Sequence, residues 1–290
     1  MTDRMNQGSS YRVDLHTHSF YSDGTLSPEE LMDWAVSQKL DQIALTDHDG
    51  IGGIPEVREA AMKRGIDFIP GIEFSAEDED GSTMHILGYH IDGENKELNQ
   101  AIFEIRENRR ERNDRLFQGL KEMGYPLEWD DFDKKGDRNY LGKPDFARAM
   151  LKKGYIREFG EAFEPGKLLG SPEIRKIRKK KIKAREAIQL ILDAGGIPVL
   201  AHPMKVSGLK TSETMGTEEY MEAQGYMEAL EKLVIKLKSY GLKGLECLYP
   251  EHTPEETEAL IGLAEKYKLH ITSGSDYHGP TDSFLPKTAK

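Results

Sequence analysis

The chain has 290 residues, of which 37% are hydrophobic and 31% are charged, a composition typical of a globular protein rather than a disordered one. Its 51 acidic residues outnumber its 40 basic residues, and the net charge of −11 disfavours indiscriminate binding to nucleic acid or to anionic membranes. One cysteine, Cys247, excludes an internal disulfide and a cysteine-based zinc cluster, and because there is neither a long apolar run nor a signal-peptide core, we expect a cytoplasmic protein.

Short apolar runs alternate with helical patterns from residue 11 onward. YRVDLH is typical of a strand, and the helix that follows has Ser27 as its cap, Pro28 in its first turn and Glu30 three residues after the serine. The unit repeats with the strand DQIALT and the helix IPEVREAAMKRG. The runs IDFIPGIEFSA and TMHILGYHI then predict two strands that pair across the turn-like residues EDEDGS.

The rhythm changes between Lys96 and Leu192, where helical patterns dominate and no strand is convincing. Residues 97–124 and 171–195 each predict a long helix, and residues 143–154 predict a shorter one. We therefore predict a helical insertion (cap) domain over residues 100–185, with the barrel domain described below formed by residues 1–99 and 186–290.

Strands and helices alternate again after this stretch. The strands GIPVLAHP, GLECLYP and HITSGSDYHG are separated by helical patterns at residues 226–241 and 253–268. Roughly seven strands, most of them separated by helices, favour a barrel of parallel strands whose functional residues gather at the carboxyl ends of the strands.

Imidazole and carboxylate side chains recur where the predicted strands end. His16 and His18 point to the same face because side chains alternate along a strand. Seven further residues of these two types follow in the chain: Asp23, His48, Glu73, His85, His202, Asp276 and His278. Any one histidine could simply be satisfied by a backbone partner, but the recurrence at strand ends indicates a metal site.

These ligand types, without cysteine, suit Zn²⁺, Mn²⁺ or Fe²⁺. Nine candidates exceed the roughly four to six positions that one ion offers, so we predict two or three divalent ions. Neighbouring ions clamp the attacking and leaving oxygens of an in-line displacement, and phosphate ester hydrolysis is the reaction that gains most from such help.

The strings DLHTHSFYSDGTLSPEEL, LTDHDG, PGIEFSA, HILGY, AHP and GSDYHG resemble the polymerase and histidinol phosphatase (PHP) family of metal-dependent phosphoesterases. The resemblance implies an α/β fold, a distorted (β/α)7 TIM-like barrel with a trinuclear metal centre. It would place His16, His18, Glu73 and Asp276 on a first ion. Glu73 would bridge to a second ion held by His85 and His202, and Asp23, His48 and His278 would hold a third.

The segments GKPDFARAMLKKGY and GLECLYPEHT are similar to those of a PHP subgroup that acts on nucleoside phosphates, including 3',5'-bisphosphates and short oligoribonucleotides. The resemblance implies a phosphatase or 5'-3' exonuclease-like hydrolase that uses a metal-bridging hydroxide on a nucleotide or short RNA. From the acidic charge balance we expect neither a membrane partner nor a stable DNA complex. Arg148 is then expected to contact a phosphate, and His252 to lie near the scissile group with a catalytic role open to it. Arg148 could equally be a solvated helix residue, and His252 could merely cap the following helix.

Several further residues carry two interpretations each. The run RKIRKKKIK, residues 175–183, has seven basic residues in nine and could attract a nucleic-acid chain, but without an interleaved aromatic residue a solvated helix face is favoured. Tyr249 and Tyr277 could stack on a nucleobase or belong to the core. Asp14 and Asp47 could accept hydrogen bonds from ligand histidines or be solvated.

Three other functions remain open on the sequence alone. An amidohydrolase also uses an H-x-H pair on a barrel, but it cleaves C–N bonds and does not need the Asp23, His48 and His278 group. A histidinol-phosphate phosphatase would share the chemistry and differ in substrate. A catalytically silent metal-binding scaffold would keep the ligands without activity.

Overall fold

The computed structural model describes residues 11–132, 140–209 and 218–280, and within helix α7 it describes side chains from residue 225 onward. The strands are β1 (Val13–Thr17), β2 (Gln42–Leu45), β3 (Asp67–Glu77), β4 (Thr83–Tyr89), β5 (Ile182–Lys183), β6 (Ile197–Leu200), β7 (Gly244–Leu248) and β8 (His270–Ser273). The helices are α1 (Pro28–Ser37), α2 (Ile54–Arg64), α3 (Lys96–Glu122), α4 (Lys143–Lys152), α5 (Pro172–Arg175), α6 (Ala184–Asp193), α7 (Glu218–Tyr240) and α8 (Pro254–Tyr267).

One curled sheet forms the centre of this α/β fold, with the strand order β1-β2-β3-β4-β6-β7-β8. The neighbours β1, β2 and β3 are parallel, as are β6, β7 and β8. A parallel bridge between Thr17 and Tyr277 brings the segment after β8 beside the end of β1. The curl therefore gathers the carboxyl ends of these strands at one end of the sheet.

Strand β4 departs from the predicted parallel arrangement. It runs antiparallel to β3 and to β6. The pairing of β3 with β4 is as predicted, but the prediction of a barrel made only of parallel strands is wrong. Only residues 78–82 separate β3 from β4. Such a short connection allows a hairpin, whereas a parallel neighbour needs a crossover of roughly a dozen residues.

Helix α1 begins at Pro28, directly after the predicted cap residue Ser27. The Ser27 hydroxyl accepts a hydrogen bond from the Glu30 amide at 3.3 Å, and the Glu30 carboxylate accepts one from the Ser27 amide at 2.8 Å. Two amide groups that lack partners within the helix are thereby satisfied.

The apolar interior is divided between two regions. The large core lies between the sheet and the helices that cover it, and it includes Leu31, Phe74 and Leu230. A separate cluster packs the second half of α3 against α4 and the short helix α5, and its buried members lie between Leu116 and Ile174. This second core falls inside the predicted insertion, while the boundaries at residues 100 and 185 stay a prediction.

The predicted long helix over residues 171–195 is wrong. Helix α5 ends at Arg175, residues 176–181 are not helical, and α6 begins only at Ala184. Between them Ile182 and Lys183 pair in parallel with Ala76 and Glu77 at the end of β3. Pairing with the sheet thus overrides local helix propensity, and most of the basic run is an extended segment instead of a helix face.

In the parts of the chain that the structure describes, no helix combines the length and the apolar character required to cross a membrane.

Candidate metal centre

The nine imidazole and carboxylate residues predicted from the sequence lie together at one end of the sheet. Ligand atoms of eight of them form three overlapping groups, and within each group all the atoms lie within 4.8 Å of one another. The groups are His16, His18, Glu73 and Asp276; His18, Asp23, His48 and His278; and His48, Glu73 and His85. Each group could hold a metal ion.

Glu73 is the hub of the cluster. It is completely buried and lies in β3, where the parallel bridge between His48 and Glu73 brings the end of β2 beside it. Its two oxygens face five imidazole nitrogens: His16 Nε2 at 3.3 Å, His18 Nε2 at 3.4 Å, His48 Nδ1 at 2.8 Å, His85 Nδ1 at 2.9 Å and His202 Nε2 at 3.2 Å. A carboxylate in this position can touch more than one cation because it has two oxygens.

The electrostatics keep the carboxylates ionised. Burial raises the pKa of Glu73, but the imidazoles of His48, His16 and His85 outweigh burial and hold that pKa well below its usual range. Asp23 behaves alike: burial raises its pKa, and His48 and His278 hold it well below the usual value. The cluster thus offers charged oxygen ligands at neutral pH.

Two of the histidines are held neutral. Burial, with the neighbouring His278, lowers the pKa of His18 to about 3. Burial lowers that of His85 to about 4, although Glu73 opposes the shift. Neutral imidazole is the form that binds a metal ion.

Several buried atoms that face the centre lie close to one another but in a geometry that makes no hydrogen bond among the described residues. They are His16 Nε2, Asp23 Oδ1, His48 Nδ1 and Glu73 Oε2. Leaving buried polar atoms without hydrogen bonds costs free energy, and native proteins rarely do so without a reason. Divalent cations would satisfy all four, so the residues present fit a metal centre.

Glu246, in β7, is a candidate site residue that the sequence reasoning missed. Its carboxylate is fully buried and lies 3.0 Å from His16 Nδ1, while its other oxygen accepts the backbone amide of His202 at 2.7 Å. A proton on Nδ1 shared with this carboxylate leaves Nε2 of His16 free to face the centre. The signal in the sequence was a lone acidic residue inside the apolar strand GLECL.

Close packing against Gly274 fixes the positions of His16 and Glu246. A Cβ atom at Gly274 would lie 2.3 Å from the Cβ of His16 and 2.5 Å from a Glu246 oxygen, so no larger residue fits there without displacing one of them. Gly274 belongs to the segment GSDYHG, which also carries Asp276 and His278.

The far side of the cluster is built from Asp23, His48 and His278. His278 Nδ1 lies 2.7 Å from the carbonyl of Asp276, which turns its Nε2 toward Asp23 at 3.2 Å. His48 Nε2 lies 3.8 Å from the other Asp23 oxygen. His18 belongs both to this group and to the first one, because its ring stacks on that of His278 at 4.1 Å.

The group of His48, Glu73 and His85, which is the middle group, differs from the ligand set that the resemblance implied for the second ion. His48 joins Glu73 and His85 there, whereas His202 lies outside the three tight groups. His202 is nevertheless near, since its Nε2 is 3.2 Å from both Glu73 Oε1 and His85 Nδ1.

The two residues predicted to contact the substrate, Arg148 and His252, bind protein groups beside the cluster. Arg148, in α4, pairs with Asp145 at 2.5 Å and donates to the carbonyl of Asp23 at 2.9 Å, so it steadies the loop that carries a candidate ligand. His252 Nδ1 lies 3.1 Å from the carbonyl of Cys247, and its ring is 5.0 Å from that of Tyr249.

Asp14 and Asp47, for which hydrogen bonds from ligand histidines and solvation were both open, are buried and accept hydrogen bonds from other groups. Asp14 accepts from the amide and hydroxyl of Ser275 and from the amide of His16. Asp47 accepts from Ser19 and Ser22 in the first loop. Among the described residues, neither carboxylate makes a hydrogen bond with an imidazole.

The tyrosines face different surroundings. Tyr277 stacks on Trp34 with ring centroids 3.8 Å apart, which makes it part of the packing against α1. Tyr249 is buried and donates its hydroxyl proton to Asp276 at 3.1 Å or to Glu251 at 3.2 Å.

A large cleft opens beside the cluster. Its volume is about 760 Å³, and its walls include Asp23 and His48 on one side and residues of the helical stretch on the other. A smaller cavity of about 290 Å³ contains His85, His202 and Lys205, and it shares His48, Thr83 and Ser207 with the large cleft. The two adjoining cavities make up the groove beside the cluster.

The geometry and the motif order define a metal-dependent hydrolase built on an α/β sheet. The family model of the PHP domain matches residues 14–196, and the chain belongs to the PHP domain family.

Two curated relatives are similar over nearly the whole chain. The 3',5'-nucleoside bisphosphate phosphatase of Chromobacterium violaceum is 29% identical over 269 residues, which cover 92% of this chain and 87% of the relative. The 5'-3' exoribonuclease of Haemophilus influenzae is also 29% identical over 269 residues, covering 93% of this chain and 90% of the relative.

Solved structures share the fold. A structure described as an amidohydrolase from Chromobacterium violaceum, with sulfate and no metal, has a TM-score of 0.78 at 29% identity and covers 95% of this chain and 92% of its own. One described as a metal-dependent phosphoesterase from Bifidobacterium adolescentis has a TM-score of 0.75 at 28% identity, with coverages of 93% and 88%.

Proposed function

We propose that this chain is a metal-dependent phosphoric ester hydrolase that acts on nucleotides, either nucleoside phosphates such as 3',5'-bisphosphates or short oligoribonucleotides. The observation that carries the proposal is the set of three overlapping ligand groups around Glu73, opening into a groove with basic walls. The names of the relatives from Chromobacterium violaceum and Haemophilus influenzae support the same class of substrate.

The proposed cofactor is two or three divalent ions, Mn²⁺, Zn²⁺ or Fe²⁺. His16, His18, Glu73 and Asp276 would hold one, and Asp23, His48 and His278, with His18 in reach, would hold another. A third ion would be held by Glu73 and His85, together with His48 or His202. When bound, such ions supply an activated water at neutral pH and neutralise the charge that develops on the phosphoryl oxygens.

The remaining work belongs to the residues of the chain. Glu246 fixes the tautomer and the orientation of His16, and the carbonyl of Asp276 does the same for His278. Tyr249 donates a hydrogen bond to Asp276, and Lys205 lines the smaller cavity. Both side chains are therefore placed to contact a phosphoryl oxygen or a leaving group. His252 Nδ1 lies 3.1 Å from the carbonyl of Cys247, with the ring 5.0 Å from that of Tyr249, and its contact with the substrate is part of the proposal.

The amidohydrolase alternative keeps one supporting observation, the description of the Chromobacterium violaceum structure. An amidohydrolase does not require the group of Asp23, His48 and His278, whose side chains lie together in this structure. Counting ions per chain by metal analysis distinguishes the two, because three ions favour phosphoester chemistry. Histidinol phosphate as substrate, or a silent scaffold, is decided by a hydrolysis panel.

That panel compares a 5'-mononucleotide, a 3',5'-bisphosphate, short RNA and histidinol phosphate with added Mn²⁺, Zn²⁺ or Fe²⁺. We expect release of phosphate or nucleotide from the nucleotide substrates and little from histidinol phosphate. His16→Ala and Asp276→Ala should each lower kcat by at least about a hundredfold while the proteins stay folded, since each removes a ligand.

His270→Ala is the matched control, because this exposed histidine lies at the start of β8, away from the cluster. Its activity should equal that of the parent. Full activity in the His16→Ala protein would contradict the proposal, as would hydrolysis of none of the esters by the metal-loaded parent.

A further inference from the structure

The helical stretch between β4 and β5 (residues 96–181) lies beside one part of the metal cluster. Its residues form walls of the large cleft, next to Asp23 and His48. The described residues that line the smaller cavity, which contains His85, all come from outside this stretch. The helical stretch therefore adjoins the group of Asp23, His48 and His278, which we call the far group.

Arg148 of α4 binds the backbone of the loop that carries Asp23. Its guanidinium donates a hydrogen bond to the Asp23 carbonyl at 2.9 Å and pairs with Asp145 of the same helix at 2.5 Å. The Asp145 carboxylate also accepts the amide of Gly142, directly before α4, at 2.7 Å. The direction of the Arg148 side chain is thus fixed within α4, and a displacement of α4 would release the loop at a candidate ligand.

The turn after His48 is held by the sheet and by the helical stretch together. Asp49 lies at a φ of 49° and donates its amide to the carbonyl of Glu73 at 2.9 Å. Arg109 of α3 and Lys179 of the extended segment after α5 both pair with its fully buried carboxylate. A residue in that region of the φ/ψ map keeps its conformation only where its surroundings determine it, so these two cations help to place His48.

Helix α3 also contacts the backbone of this turn. Arg106, which precedes Arg109 by three residues and so lies on the same face of the helix, donates from Nε to the Asp49 carbonyl at 3.3 Å. A Cβ atom at Gly50 would lie 2.1 Å from the Arg106 guanidinium, so the glycine permits the close approach. The helix therefore packs directly against the residues that follow a candidate ligand.

These contacts join the position of the helical stretch to the position of two ligands. Separation of the two would release the Asp23 carbonyl and leave the buried carboxylate of Asp49 without its cations, which is costly. A divalent ion held by Asp23 and His48 would in turn restrain the two loops that the helical stretch binds. Such coupling is reciprocal: the factor by which docking raises the ion's affinity is the factor by which the ion favours docking.

We infer that Arg109, Arg148 and Lys179 are positioning residues for the far group, and that a divalent ion in this group and the docked helical stretch stabilise each other. The inference rests on the metal centre of the proposed function. It adds that one ion of the centre controls the order of the helical stretch, while an ion held with His85 does not.

Hydrogen exchange tests the effect of the ion on the helical stretch. Addition of Mn²⁺ to the chelator-treated parent should slow amide exchange about tenfold or more in α3, α4 and residues 176–181. His278→Ala removes an imidazole from the far group alone and should abolish this slowing. His85→Ala, the matched control, removes one from the middle group alone and should retain it.

Equal slowing in the parent and in His278→Ala would overturn the inference, and so would its loss in both variants. A general stabilisation of the fold by metal would not distinguish the two histidines, so the comparison reports on the far group itself.

Competitive titration of Mn²⁺ against a chelator tests the reverse effect. Arg148→Met and Lys179→Met should each lower the affinity of one ion about tenfold or more and leave the other ions unaffected. Arg110→Met and Lys180→Met remove the same charges from exposed positions of the same stretch and should bind like the parent. Loss of a nearby positive charge would by itself favour a cation, so weaker binding reports lost positioning. Unchanged or tighter binding overturns the inference.

Neither measurement uses a substrate, so the inference and the proposed function can fail separately. A protein that hydrolyses nucleotides without any link between the ion and the helical stretch contradicts the inference alone. A protein that shows the link and hydrolyses none of the esters supports the inference and contradicts the proposed function.

Discussion

At the scale of single residues, Glu246 links two parts of the cluster through one buried carboxylate. One oxygen faces the Nδ1 of His16, and the other accepts the amide of His202, whose backbone has a φ of 27°. A non-glycine residue in that region of the φ/ψ map is strained, so the bond to Glu246 helps to hold it there. Asp276 is likewise at a φ of 54°. Both strained residues belong to the candidate site.

Replacement of Glu246 by glutamine should weaken metal binding by about 10- to 100-fold, because the amide is uncharged and one of its two polar atoms donates a hydrogen bond instead of accepting one. Competitive titration of Mn²⁺ or Zn²⁺ against a chelator measures the change. Glu255→Gln, at an exposed carboxylate in the first turn of α8, is the control and should bind metal like the parent. Unchanged affinity in Glu246→Gln would show that His16 does not depend on this carboxylate.

The sequence was sufficient to predict that the nine side chains lie close together, because period-two alternation and strand-end positions place polar side chains at one edge of a sheet. It was not sufficient for Glu246, since an acidic residue inside an apolar strand has no signature that separates it from a solvated one. The grouping of His48 with His85 also escaped prediction, because it depends on distances between different strands.

At the scale of elements, Asp49 connects the helical stretch to the sheet. It follows His48 directly, has a φ of 49°, and accepts the amide of Ser75 at 2.9 Å. Arg109 of α3 and Lys179 of the extended segment both pair with its buried carboxylate. Although burial raises the pKa of Asp49, these two cations hold it well below its usual range. One carboxylate thus fastens two separate segments beside a candidate ligand.

Asp49→Asn should destabilise the protein by about 3–5 kcal/mol, because it leaves two largely buried cations without their anion. Hydrogen exchange should speed up in α3 and in residues 176–181 more than in β1 and β2. Asp33→Asn is the matched control: its carboxylate pairs with Arg64 at 2.7 Å but is 69% exposed, and exposed pairs contribute about 0–1 kcal/mol. Equal losses in the two variants, measured by urea unfolding, would contradict the role given to Asp49.

The extended segment illustrates what local patterns cannot supply. Residues 171–195 have helix-forming composition throughout, yet Ile182 and Lys183 pair with the end of β3, and Lys179 turns inward to Asp49. Long-range partners decide both features, and neither partner is near in sequence. Helices α1 and α8 were predictable because their capping boxes are local.

At the scale of the whole molecule, charge is distributed unevenly. A chain with a net charge of −11 gathers seven arginine and lysine side chains in the large cleft, and it gathers carboxylates with imidazoles at the adjoining end of the sheet. Bound cations would make the whole groove attractive to phosphate while the rest of the surface repels nucleic acid. This contrast favours small or short substrates over long duplexes.

Metal removal should therefore lower the stability of the folded protein. Ligands that bind the native state alone stabilise it by about 2.7 kcal/mol at a hundredfold excess over Kd. For a chain of this size we expect chelation to lower Tm by about 5–10 °C, and Mn²⁺ or Zn²⁺ to restore it, in scanning calorimetry. The shift should shrink in His85→Ala, which removes a ligand from the middle group, and persist in His270→Ala. If neither chelator nor added metal changes the Tm of the parent, the protein does not contain the metal centre that its nine converging side chains suggest.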